Sequence, residues 1–176
     1  MFITAELTVS VINSLLKESI EFSQGKTVKP EKEIFVANLF FENSTRTKTS
    51  FDIAERKLGL NVVPFEVSTS SMNKGESLYD TVKTLECLGI NALVIRHRQD
   101  NYYNELKGIK IPIVNAGDGK GSHPSQCMLD LMTIYQEFGT FKNITVGIVG
   151  DVKHSRVANS DAEALRKLGA RVIFSG

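Results

Sequence analysis

Four consecutive residues, Ser44-Thr45-Arg46-Thr47, stand directly after an apolar run that ends Leu39-Phe40-Phe41. Three hydroxyls and one guanidinium at a point where a strand gives way to a helix make a cradle for an anion. The first turn of a helix leaves backbone N–H groups unpaired and carries partial positive charge. Hydroxyls add donors there, and an arginine adds a planar fork that matches two phosphate oxygens. Ser44 is also well suited to cap the helix. Capping does not account for Arg46, a charge set beside an apolar strand end. Three more such clusters follow later apolar runs: Arg96-His97, His123-Pro124-Ser125-Gln126, and Asp151-Val152-Lys153-His154-Ser155-Arg156. In parallel α/β sheets the working side chains sit at the carboxyl ends of strands, so these clusters are expected to converge on one sheet edge.

Familiar nucleotide motifs are excluded. Val114 stands where a Walker loop ending Gly119-Lys120 would need its first glycine, and Ile20 stands there for Gly25-Lys26-Thr27. Gly147 and Gly150 do not complete G-x-G-x-x-G. The 176 residues hold 21 Lys plus Arg against 20 Asp plus Glu, a net charge of +1, which leaves no electrostatic footprint for nucleic acid or an acidic membrane. Anion chemistry must therefore come from local clusters. No apolar run approaches the ~20 residues that span a bilayer, and the N-terminus Met-Phe-Ile-Thr-Ala-Glu lacks a basic secretory n-region. The two cysteines, Cys87 and Cys127, have neither metal-ligand nor disulfide spacing and are expected to be buried, reduced thiols of a cytoplasmic protein.

The elements that must position these clusters follow from periodicity. An amphipathic helix is predicted over residues 8–23, with Thr8 or Ser10 capping it. Strands are predicted at 34–40, 61–67, 92–97 and 111–117. Pro64 confines the second of these to an edge or to irregular structure. Helices follow from about Thr45, where Phe51, Ala54 and Leu58 share a face and Gly59 closes the element, then near 76–88, around Tyr103 and Leu106, and from Pro124 to Phe138. Pro124 suits a first helical turn. This alternation argues an α/β fold, a parallel sheet with helices on both faces. After a break at 139–143, strand 143–151, helix 156–168 and strand 170–176 begin a second doubly wound α/β domain. The expected division is therefore 1–140 and 141–176. A lone βαβ unit cannot cover its own sheet, so the chain is expected to be cut within that second domain.

Six segments together carry a resemblance: Ser44-Thr45-Arg46-Thr47, the Ser-rich loop ending Lys74-Gly75-Glu76, Arg96-His97, Asn115-Ala116-Gly117-Asp118-Gly119, His123-Pro124-Ser125-Gln126, and Gly150-Asp151 with Arg156. In order and context, over nearly the whole chain, they resemble the catalytic chain of the aspartate carbamoyltransferases. The resemblance implies a carbamoyl-phosphate-binding domain over 1–140 and the start of an L-aspartate-binding domain over 141–176. It implies transfer of the carbamoyl group of carbamoyl phosphate to the amino group of L-aspartate, an early step of pyrimidine biosynthesis, with no metal or organic cofactor.

Carried over by residue, Ser44, Thr45, Arg46 and Thr47 would hold the phosphate. Arg96 and His123 would reach the phosphate or the carbonyl oxygen, which Thr47 would also touch. Gln126 would orient the carbamoyl amide, and Arg156 would meet an aspartate carboxylate. Ser70 and Lys74 would enter the site of a neighbouring subunit, Lys74 also serving aspartate, which implies a homotrimer and leaves association with regulatory subunits open. His97 is read as a structural hydrogen bonder and His154 as an exposed loop residue. Two other readings stay open. An ornithine carbamoyltransferase shares Ser-Thr-Arg-Thr and His-Pro-x-Gln, but not the segment 115–119 or the Lys-Gly-Glu loop. A fragment that binds carbamoyl phosphate without turnover is the other.

Overall fold

The computed structural model describes residues 6–67 and 75–176. In chain order its elements are α1 (Val9–Ser23), β1 (Phe35–Phe40), α2 (Thr45–Lys57), β2 (Asn61–Val63), α3 (Leu78–Cys87), β3 (Ala92–His97), a 3-10 helix at Tyr102–Leu106, β4 (Ile113–Asp118), α4 (Pro124–Phe138), β5 (Thr145–Val149), a 3-10 turn at Val152–His154, α5 (Arg156–Lys167) and β6 (Arg171–Ser175). Packing groups them into two compact units, Thr27–Asp118 and Phe2–Lys26 with Gly119–Gly176. This grouping differs from the 140/141 division, because α4 packs against both α1 and α5.

The first unit is built on a four-stranded, all-parallel sheet in the order β2-β1-β3-β4. Side chains alternate across each strand. Ala37, Leu39, Leu93, Ile95 and Ile113 therefore share a core with Leu78 and Val82 of α3 and with Tyr102 and Leu106 of the 3-10 helix. Asn38, between Ala37 and Leu39, faces the other way, and its Nδ2 donates to Glu55 Oε2 of α2 at 2.7 Å. Helices thus cover both faces of β1, as the alternation of elements required. The face of α2 differs from the predicted one: Ala54 is exposed and Glu55 is its one buried residue. Glu55 is four residues from Phe51, on the expected stripe, and it tolerates burial because an amide meets it. Burial still pushes its carboxyl above the ordinary range. Strand β2 stops before Pro64 and lies at the sheet edge, where a missing N–H costs no ladder bond.

The second unit joins α1, α4 and α5 to the parallel pair β5-β6, registered from Thr145↔Arg171 to Val149↔Ser175. Its core comprises Leu7, Ile12 and Leu16 with Cys127, Met128, Leu131, Phe141, Leu165 and Leu168. Local chemistry sets the helix ends. Thr8 Oγ1 accepts from Val11 N–H, and Ser155 Oγ from Ala158 N–H. Pro124 opens α4, and Gly139 closes it in the left-handed region at φ 67°, where a Cβ is disfavoured. Cys127 is buried, but Cys87 is exposed, contrary to expectation: it lies in the last turn of α3, past the buried stripe Leu78, Thr81, Val82. Among the described residues no helix is long and apolar enough to cross a membrane.

Leu39 is fully buried at the centre of the first core, so Leu39→Ala is expected to destabilise the chain by about 2–5 kcal/mol. Urea denaturation checks this; a change near zero would show that the sheet face is not packed as described.

Candidate functional site

In the first unit, the chain leaves β1 for one neighbour, β2, then crosses to start β3 on the other side of β1. Strand order therefore reverses between β1 and β3. At such a switch point the two following loops diverge and leave a crevice at the carboxyl ends of the strands. Phe40 is the register partner of Arg96, and Phe41 N–H donates to Arg96 O at 2.9 Å. The ladder runs to the last residue of β1 and the last but one of β3, so the exit of β1 and Arg96 lie side by side.

What leaves β1 there is Ser44 and the first turn of α2. Ser44 occupies the cap position with extended backbone, but its side chain makes no capping bond, a correction to the expectation that it caps. The first intrahelical bond is Lys48 N–H to Ser44 O. The N–H groups of Thr45, Arg46 and Thr47 precede that bond and have no intrahelical partner, and Ser44 Oγ is not spent on them. Thr45 and Arg46 are exposed, while Ser44 and Thr47 are half-buried. Arg96 Nη1 donates to Thr47 Oγ1 at 3.4 Å, and Arg96 Nε donates to Glu42. The Glu42–Arg96 ion pair is mostly buried, at 21% and 13% side-chain exposure. Glu42 thus holds the guanidinium beside Thr47. The sequence reading missed this residue; its signal was a lone carboxylate two residues before a basic, hydroxyl-rich turn. Lys48 pairs with Glu66 at 3.2 Å.

His97 is structural, as read from the sequence. Its ring packs on Phe41 and Tyr102 with centroids 5.0 and 5.6 Å away. Its Nδ1 accepts from Gln99 N–H at 3.1 Å, and burial lowers its pKa, which suits a neutral ring. A buried network shapes the end of β4. Asp118 accepts from Asn115 Nδ2 at 2.7 Å and from the N–H of Asn101, a left-handed residue, at 3.0 Å. Asn115 Oδ1 accepts from Gly117 N–H at 2.9 Å.

In the second unit, His123 is buried at the N-terminus of α4. Its main-chain N–H donates to Ser160 Oγ of α5 at 2.9 Å, and Ser125 Oγ lies 3.4 Å from its Nδ1. Gln126 Nε2 donates to Asp130 Oδ1 at 3.1 Å. Arg156 Nη1 donates to Gly119 O at 3.0 Å, and Asn159 Nδ2 to Lys120 O at 3.2 Å. These bonds tie the turn at 119–120 to the first turns of α5. His154, exposed, meets Asp151 at 2.9 Å. The structure thus joins Thr47 to Arg96 in one unit and sets His123, Gln126 and Arg156 in the other. Ser70 and Lys74 lie outside the described residues. A further feature escaped sequence reasoning: Asp161 of α5 leaves a buried Oδ1 without a partner. Burial, then the neighbouring Asp130, pushes its pKa up to about 7.

An all-parallel sheet whose switch point faces the uncapped first turn of a helix is a doubly wound α/β architecture. The family described as aspartate/ornithine carbamoyltransferase, carbamoyl-P binding domain, matches residues 2–136, and the chain belongs to it. The aspartate carbamoyltransferase catalytic subunit of Fusobacterium nucleatum subsp. nucleatum is 59% identical over 169 residues, covering 96% of this chain and 56% of that protein. The crystal structure of aspartate transcarbamoylase from Trypanosoma cruzi in complex with carbamoyl aspartate and phosphate is similar at 33% identity and a TM-score of 0.86, over 99% of this chain and 57% of that one. The same enzyme with N-(phosphonacetyl)-L-aspartic acid gives a TM-score of 0.85 at 33% identity, over 98% and 55%. The chain spans somewhat more than half the length of these relatives.

The raised pKa of Asp161 has a consequence for stability. The folded chain binds this proton more tightly than the unfolded one, so the stability it contributes is present at low pH and lost as pH rises from about 4 through about 7. Asp161→Asn removes that loss. Its stability relative to the parent is expected to improve steadily as urea titrations are moved from about pH 4 to about pH 8; a difference that does not change with pH would contradict this.

Proposed function

We propose that the chain binds carbamoyl phosphate and forms part of an aspartate carbamoyltransferase, which transfers the carbamoyl group to the amino group of L-aspartate and gives N-carbamoyl-L-aspartate and phosphate in pyrimidine biosynthesis. The observation that carries the reading is the switch point itself. The uncapped first turn of α2 stands at the exit of β1, and Arg96, bonded to Thr47, stands at the end of the adjacent strand. The Fusobacterium relative and the Trypanosoma complexes support the choice of reaction.

In this reading the phosphate oxygens take the main-chain N–H groups of residues 45–47, the hydroxyls of Ser44, Thr45 and Thr47, and the Arg46 fork. The neutral amine of aspartate attacks the carbonyl carbon, and a C–N bond forms as the carbonyl oxygen becomes an oxyanion. Arg96, His123 and Thr47 donate to that oxygen. Gln126 orients the carbamoyl amide, and Arg156 meets a carboxylate of aspartate. The C–O bond to phosphorus then breaks, the electron pair leaves with phosphate into the cradle, and the phosphate takes the proton shed by the amine. No separate protein base is required. Residues 1–140 form the carbamoyl-phosphate-binding domain and 141–176 the beginning of the aspartate-binding domain. Ser70 and Lys74 serve a neighbouring subunit of a cytoplasmic homotrimer, with which regulatory subunits can associate.

Incubation with radiolabelled carbamoyl phosphate and either acceptor is expected to label aspartate and leave ornithine unlabelled. Label on ornithine alone overturns the choice of acceptor. Binding without any transfer reduces the chain to a carbamoyl-phosphate-binding module.

Two substitutions separate the roles. Arg46→Ala is expected to abolish carbamoyl phosphate binding in calorimetry. His123→Ala, which loses one oxyanion donor, is expected to lower kcat by about 10²–10³-fold with a smaller loss of binding. Unchanged behaviour removes the residue concerned from the scheme.

A further inference from the structure

Gln126 has an amide with two unlike ends, and which end meets a ligand decides what it can recognise. Nε2 only donates and Oε1 only accepts. The two are nearly alike in shape, so the neighbours must choose the orientation. Here the neighbour is Asp130, one turn further along α4, where residues four apart face each other. Its Oδ1 accepts from Gln126 Nε2 at 3.1 Å. A carboxylate offers no donor, so the reverse orientation would set two acceptors against each other. Among the described residues no donor reaches Gln126 Oε1. Asp130 has a second neighbour, Asp161 of α5, whose buried Oδ1 is unpartnered. Two facing carboxyls do not both ionise readily. Burial first, and then the neighbouring Asp130, raises the pKa of Asp161 to about 7.

We propose that Asp130 is a positioning residue: by holding Gln126 Nε2 along the helix it turns Oε1 outward as a fixed acceptor for the –NH2 of a carbamoyl group. The inference rests on the reading above that Gln126 orients the carbamoyl amide, and it deepens that reading by naming what makes the site select an amide over a methyl group. Carbamoyl phosphate and acetyl phosphate share the phosphate and the carbonyl and differ at that one group. The –NH2 donates; the –CH3 does not. An amide oxygen already turned toward the ligand favours the first, and a freely rotating amide loses much of the preference.

Calorimetric titration of the chain and its variants with carbamoyl phosphate and with acetyl phosphate tests this. Asp130→Ala keeps a good helix former in α4 and removes the acceptor. It is expected to weaken carbamoyl phosphate binding by about three- to tenfold while acetyl phosphate stays within about twofold of the parent. Asp130→Glu, which restores an acceptor-only group at the same turn, is expected to recover most of the lost affinity. Equal weakening of both ligands by Asp130→Ala overturns the proposal, as does no weakening of either or a failure of Asp130→Glu to recover. A parent chain that binds neither ligand overturns the proposed function together with this inference. A parent that binds carbamoyl phosphate, with an Asp130→Ala variant that binds it equally well, overturns this inference alone.

Discussion

The structure of the first unit depends on one constraint: the reversal of strand order between β1 and β3. Parallel neighbours need crossover connections, and once the chain has gone from β1 to β2 on one side, β3 can pair with β1 only on the other. The loops after β1 and β3 then leave the sheet in opposite directions. The gap between them is lined by the last residues of both strands, and the register that pairs Phe40 with Arg96 decides which residues those are. A shift of one residue would turn Arg96 to the opposite face of the sheet, away from Thr47. The hydrophobic face to which β3 gives Leu93 and Ile95 resists such a shift, because it would turn both away from the core at once. The apolar core and the placement of the guanidinium are consequences of the same register.

Polar groups buried around this frame act by orientation more than by net stabilisation. A mostly buried ion pair such as Glu42–Arg96 gives up hydration on both partners and typically returns little net stability. What it supplies here is a fixed guanidinium. Asp118 acts similarly on the backbone: two donors, one from Asn115 and one from the left-handed Asn101, lock the end of β4 to the start of the 3-10 helix. Asn38 and Glu55 join β1 to α2 across the sheet face opposite the main core.

The second unit follows the same pattern on helices. Small residues of α5, among them Ala158, Ser160, Ala162 and Ala164, are buried, and Ser160 reaches the main chain of His123. Its own main-chain oxygen accepts from Cys127 Sγ at 3.4 Å. One turn of α5 therefore sets the first turn of α4, where His123 and Gln126 are placed. The Asp130–Asp161 pair lies between the same two helices. Burial between them, and then the neighbouring Asp130, raises the pKa of the Asp161 carboxyl to about 7.

The sequence by itself determined the element order, the parallel α/β class and the hydroxyl- and arginine-rich turn at 44–47, because periodicity, proline and glycine positions and strand-end chemistry are local. Pro64 at an edge and Pro124 at a first turn follow directly from φ and a missing N–H. Tertiary structure decided what depends on partners distant in the chain. Ser44 reads as a cap, yet its oxygen makes no capping bond. Ala54 reads as core, yet it is exposed, and Glu55 is buried beside it because Asn38 meets its carboxyl. Cys87 reads as core, yet its turn lies past the buried stripe. Asp130 and Asp161 carry no local signature, since a carboxylate looks the same in sequence whether it meets water, a guanidinium, an amide or another carboxyl. Only folding brings those partners within a few ångströms, where desolvation and hydrogen bonding make one carboxylate unlike the next.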